Sequence, residues 1–105
     1  MKIQKRILSQ ERLRHCPEQF SFVDHRLVRA QVLRGADVKA WALYLVLVTV
    51  GDEHGLSYYS DQSVGRLLSL TVEEVFTARR QLLAAGVIAY EEPLYQVLSL
   101  EGAAL

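Results

Sequence analysis

Hydrophobic and polar positions alternate with a different rhythm in each part of this chain. The longest apolar run, Val38 to Val50 (VKAWALYLVLVTV), is hydrophobic on almost every face, so periodicity alone does not separate helix from strand. Length and context decide: thirteen residues exceed the usual strand, Ala, Leu and Trp lead the run, and Gly51 and Gly55 follow as stop signals. With Asp37 as its cap, the run predicts a central buried helix with Trp41 among its core candidates. A helix apolar all round needs cover on more than one side. In a domain this small the cover is the N-terminal segment or a second subunit, so a homodimer through helix 38–50 is expected.

Downstream, Leu56-Ser57-Tyr58-Tyr59 reads as a short strand, and Ser60 is placed to cap a helix carrying Val64, Leu67 and Leu68 on one side. That helix ends at Ser69-Leu70. Thr71 followed three residues later by Glu74 forms a capping box, the strongest helix-start signal in the chain. The helix it opens runs to about Ala85, stops at Gly86, and shows a core stripe of Val75, Ala78 and Leu82 with Phe76 and Leu83 alongside. Val87 to Tyr90 and Leu94 to Leu100, joined by Glu91-Glu92-Pro93, predict a β-hairpin. Upstream, Ile3, Ile7, Leu8 and Leu13 give a modest helical pattern that Pro17 interrupts. Phe20-Ser21-Phe22-Val23 reads as extended, and Asp24 can cap a helical turn bearing Leu27 and Val28. The expected organisation is a basic arm or helix over residues 1–19, one domain over 20–100 and a frayed tail over 101–105.

Composition narrows the class. Half of the 105 residues are hydrophobic, which suits one globular domain. The apolar stretch Ala40 to Val48 is about half of the roughly 20 residues that cross a bilayer, and the N-terminus lacks an apolar signal core, so a soluble cytoplasmic chain with no membrane partner is expected. The single cysteine, Cys16, has no disulfide partner, and with only His15 beside it makes no metal site; it reads as a buried or inert thiol. Net charge is zero, yet residues 1–39 hold nine Lys/Arg against four Asp/Glu, a balance of +5, and residues 40–105 hold three against eight, a balance of −5. Such asymmetry fits a basic arm that meets phosphate or two halves that attract each other.

Catalysis would need a constellation that the chain lacks: it has no phosphate-cradling glycine loop, no ligand pairs at metal spacing, and no Ser/His/Asp or Cys/His signature. His15, His25 and His54 are isolated, and Asp24 is better placed as a cap than as a partner of His25. No catalytic residue, metal, cofactor or small-molecule substrate is expected.

The order helix, strand, helix, three-residue turn, helix, hairpin resembles a winged helix-turn-helix domain. The run SYYSDQSVGRLLSLTVEEVFTARRQLLAAGVI carries the resemblance: a Ser-capped helix, a Leu-Leu pair, a hydrophobic turn residue, a Thr-capped recognition helix, and Leu-x-x-x-Gly-Val-Ile leading into the wing. FSFVDHRLV and the LYLVLV helix are similar to the N-terminal winged-helix domains of plasmid replication initiators and DnaD-type primosomal proteins, over roughly residues 20–100. The resemblance implies a mainly α fold with a small β-hairpin wing (α+β), a three-helix core and an N-terminal extension. It also implies double-stranded DNA as partner, for a transcriptional regulator or an accessory protein of replication or a mobile element. Such a unit presents the outer face of its capped third helix to the major groove and sets the wing on the neighbouring backbone.

Here that outer face is Glu73, Thr77, Arg80, Gln81 and Ala84. Arg80 and Gln81 are candidates for base edges, and Thr77 for a phosphate or a thymine methyl. Arg66, Arg79, Arg80 and the N-terminal Lys2, Lys5, Arg6, Arg12 and Arg14 are candidates for phosphate. Tyr58, Tyr59 and Tyr90 sit at strand positions, where half-buried core is the commoner role. Two features depart from the pattern: Ser69 stands where the family often has Gly, and Glu73, Glu74, Glu91 and Glu92 put carboxylates at the helix start and wing turn. Those acids favour the alternative, a winged helix that binds a partner protein. The two readings differ in charge placement. DNA binding expects Arg79, Arg80 and the N-terminal cations to form one surface, and the alternative expects the halves to neutralise each other.

Overall fold

The computed structural model describes residues 4–102; Lys2, Ile3 and tail residues 103–105 lie outside the described residues. The apolar run forms α2 (Val38–Val50), and the carboxylate of Asp37 accepts the Ala40 amide to cap it. Its inward face buries Ala40, Leu43, Tyr44 and Leu47. Before it, α1 is a single turn (Arg26–Arg29), started by the Asp24 carboxylate, which accepts the Arg26 amide at 2.9 Å. After it come β1 (Leu56–Tyr58), α3 (Asp61–Leu68), α4 (Val72–Ala84), β2 (Ile88–Glu91), β3 (Leu94–Val97) and a 3-10 turn at Leu100–Gly102. The chain is therefore α+β. Among the described residues four helices accompany a three-stranded antiparallel sheet, a layout compatible with a winged helix.

In the sheet β3 lies between β1 and β2, with Ser57 opposite Tyr95 and Tyr90 opposite Tyr95 on the other side. The core lies between α2, α4 and the sheet. Leu33, Leu43, Leu47, Val64, Val75, Leu82, Val87 and Tyr95 are all sealed from solvent. Each fully buried Leu or Val of this kind contributes roughly 1.5–3 kcal/mol relative to exposure.

The turn between α3 and α4 is set by two residues. Ser69 sits in the left-handed region at φ 57° and ψ 44°, which costs a non-glycine residue about 1 kcal/mol. Gly65 is buried, and a Cβ on it would lie 2.6 Å from the carbonyl oxygen of Leu70, while its own carbonyl accepts the Leu70 amide at 2.9 Å. Gly65 thus lets the chain leaving the turn pass directly over α3.

Several expectations shift. Residues 4–23 form neither helix nor strand, because Ile7, Leu8 and Leu13 find no surface to bury against and a short helix without packing is marginal. Trp41 faces away from the core and is 36% exposed; with Val38 and Leu45 it forms the outer stripe of α2. On α3 only Val64 and Gly65 are buried and Leu67 points to solvent, as do Phe76 and Leu83 on α4. Cys16 is exposed.

Gly65→Ala should therefore destabilise by about 1–3 kcal/mol, the usual penalty for overpacking, and Ser69→Gly should stabilise by up to about 1 kcal/mol. Urea unfolding followed by circular dichroism measures both. No change in Gly65→Ala would mean that the turn has room that the Leu70 carbonyl does not leave.

Candidate nucleic-acid interface

The amino end of α4 is fixed by side chains. Thr71 Oγ1 accepts the Glu74 amide at 3.1 Å, and Glu74 Oε1 accepts the Thr71 amide at 2.9 Å, completing the capping box. The second oxygen of Glu74 accepts from the ammonium of Lys39 on α2. The hydrogen bond from Lys39, then that from the Thr71 amide, holds the Glu74 carboxyl below its ordinary value of 4.5. Glu74 is accordingly committed to the fold, whereas Glu73 is free and exposed.

The outer face of α4 emerges as the 3.6-residue period requires: Glu73, Thr77, Arg80 and Ala84 are exposed. Thr77 turns its hydroxyl back to donate to the Glu73 carbonyl at 3.1 Å. Arg80 is exposed, its guanidinium carbon 5.9 Å from the centre of the Phe76 ring. Gln81 behaves differently: its Oε1 accepts the Asp37 amide at 2.9 Å and its Nε2 donates to the Asp37 carboxylate at 3.4 Å. That side chain ties α4 to the start of α2, so it must release Asp37 before it can read a base.

Arg79 leaves the candidate surface altogether. It is 6% exposed, and its Nη1 donates to Asp61 Oδ1 at 2.7 Å and to the Tyr95 hydroxyl at 2.9 Å, with Nη2 to Asp61 Oδ2 at 3.3 Å. Its guanidinium carbon lies 4.3 Å from the centre of the Tyr90 ring. Burial works to lower its pKa, but the hydrogen bonds with Asp61 and Tyr95 outweigh that and raise it. Burial in turn pushes the Tyr95 hydroxyl up, and Arg79 opposes this in part. The signal was present in the spacing: Arg79 is four residues from Val75 and three from Leu82, both on the core stripe. Its partner, at the first position of α3, is invisible to any local pattern.

The other candidate cations are accessible. Arg66 is exposed on α3, with Nη2 3.5 Å from Ser63 Oγ, and Lys5, Arg6, Arg12 and Arg14 are exposed along the arm. The structure therefore brings Thr77 and Arg80 together and removes Arg79. The wing turn Glu91, Glu92 and Pro93 is exposed and acidic, and an apolar strip of Val72, Phe76 and Leu83 flanks the polar face of α4. Tyr58 is exposed, while Tyr59 and Tyr90 are half-buried. Among the described residues no cluster of His, Cys, Asp or Glu is placed to hold a metal ion, and no helix is long and apolar enough to cross a membrane.

Two outcomes are expected. Asp61→Ala should cost about 3 kcal/mol in urea unfolding, since it leaves the Arg79 charge buried without its counter-ion; a near-neutral result would mean that water replaces the carboxylate. Because the folded pKa of Glu74 is depressed, its contribution is full above the unfolded value near 4.5 and is lost as pH falls through the lower folded value. Glu74→Gln should thus flatten the acid limb of a thermal-midpoint-against-pH curve, and an unaltered limb would count against the Lys39 pairing. No protein-family model, curated protein or solved structure matches this chain.

Proposed function

We propose that this chain is a DNA-binding protein of winged helix-turn-helix type, a transcriptional regulator or an accessory of replication or of a mobile element. One observation carries the reading. A doubly capped helix, α4, is held by the α3 turn so that Thr77 and Arg80 stand in solvent, with a β-hairpin at its far end. In this reading Arg80 reaches a base edge or phosphate, Thr77 makes a backbone or methyl contact once its hydroxyl leaves Glu73, and Arg66 and the arm cations meet phosphates. Glu73 and the acidic wing turn keep the protein off DNA that does not also satisfy Arg80. They oppose the phosphate attraction that would otherwise bind any sequence.

A second reading is favoured by the strip of Val72, Phe76 and Leu83. Exposed aromatic and aliphatic side chains beside an arginine suit a protein partner better than a charged backbone.

Fluorescence anisotropy of a labelled mixed-sequence duplex at about 50 and 200 mM salt tests the two, since phosphate-driven binding falls steeply over that range. On a selected site Arg80→Ala should weaken binding by about 1–3 kcal/mol and relax base preference, with Phe76→Ser nearly neutral. Absence of binding at the lower salt, or loss of partner binding in Phe76→Ser alone, would transfer the function to protein recognition.

A further inference from the structure

An open groove of about 650 Å³ lies at the carboxyl end of α2, well away from α4's outer face. Its floor is apolar: half-buried Val48 on α2, Val97 at the end of β3 and Leu98 after it, with the buried Tyr44, Leu47 and Leu100 beneath them. Phe20 and Phe22 form its outer wall, 66% and 84% exposed, so that wall has nothing behind it. Four carboxylates stand on the rim, Asp24, Asp52, Glu53 and Glu101, against one guanidinium, Arg26, which pairs with Asp24 at 2.6 Å and Glu101 at 3.5 Å. The groove is thus an apolar slot with an acidic edge, of a size that takes several side chains.

The same chain carries the complementary segment. Lys5, Arg6, Arg12 and Arg14 surround Ile7, Leu8 and Leu13 on the arm, all exposed, with Leu8 at 84%. Among the described residues no hydrogen bond or ion pair ties residues 4–23 to the body of their own chain. An apolar basic segment and an apolar acidic groove therefore both stand uncovered on one molecule, in a sequence whose halves balance at +5 and −5. Leaving both in water forgoes the favourable burial of apolar surface that their union would provide.

We propose that the groove is the seat for the arm of a second copy of this chain, giving a reciprocal dimer in which each arm crosses to the other subunit. Ile7, Leu8 and Leu13 pack over Val48, Val97 and Leu98, and the arm cations face Asp52, Glu53 and Glu101. Two-fold symmetry makes the exchange self-complementary, each subunit giving one arm and receiving one. In the dimer the arm cations seated on the rim are withdrawn from phosphate, so that of the contacts proposed above those of Arg66 and Arg80 remain. The inference goes beyond the DNA reading and does not depend on it.

Cys16, exposed and the sole cysteine, gives a probe on the arm without added mutations. Spin-labelled chain at natural nitrogen abundance is mixed with unlabelled-thiol, nitrogen-15 chain, and the amide resonances of Leu47, Val48, Val97 and Leu98 are followed. Broadening of those signals in the mixture is the expected result. Sedimentation should give about twice the 11.9 kDa chain mass. The dissociation constant should rise at least tenfold in Leu8→Glu/Leu13→Glu and also rise between about 50 and 500 mM salt. The altered arm residues are exposed, so circular dichroism and thermal midpoint of that variant should match the parent. Unbroadened signals in the mixture, a parent that sediments as a monomer, or a dimer indifferent to the arm substitutions would each overturn the exchange. No nucleic acid is present in these measurements, so their failure leaves the DNA reading standing.

Discussion

The guanidinium of Arg79 is where three elements of this small domain meet. It projects from α4, donates to the carboxylate of Asp61 at the start of α3, and donates to the hydroxyl of Tyr95 in the central strand of the sheet. A charge in such a place is costly to desolvate, and it is tolerated because the carboxylate, the phenol and the face of Tyr90 together satisfy it. The geometry leaves little freedom: shift α3 relative to α4, or the hairpin relative to either, and a buried charge loses a partner.

A second set of polar contacts fixes α4 against α2. Lys39 meets Glu74 at the amino end of α4 and Asp37 meets Gln81 further along it, so the start of α2 is tied to α4 at two points. The consequence reaches the surface. Side chains that look like recognition residues on a helical wheel are spent on holding the helix in place, and the outward face that remains is small: Glu73, Thr77, Arg80 and Ala84. A domain of this size has few polar residues to divide between packing and recognition, and α4 uses the same short segment for both.

The fold leaves uncovered what its own residues cannot cover. Helix α2 is apolar all round, yet one domain can bury only one side of it against α4 and the sheet, so Val38, Trp41 and Leu45 stay in water. The same shortage leaves the groove by Val48 and Val97 open and the apolar residues of the arm without a seat.

Local chemistry was legible in the chain. Asp37, Ser60 and Thr71 each accept the amide three residues on, as short polar side chains before an apolar run should, and the three helices they start lie where the sequence places them. The stripe Val75, Ala78 and Leu82 is buried, the hairpin turns at Glu92-Pro93, and Glu73, Thr77 and Arg80 face outward, all from periodicity alone. What the tertiary structure decided were relations between distant residues. That Arg79 would find Asp61 eighteen positions away, that Gln81 would bind Asp37 across forty-four, and that Trp41 would be on the outer side of an unpatterned helix all depend on which elements pack together. A helix without an amphipathic rhythm does not announce its inward face, and an arginine on a core stripe does not name its counter-ion. Capping and periodicity act within one turn or one strand and so are written locally, whereas burial and ion pairing are set only when separate segments meet.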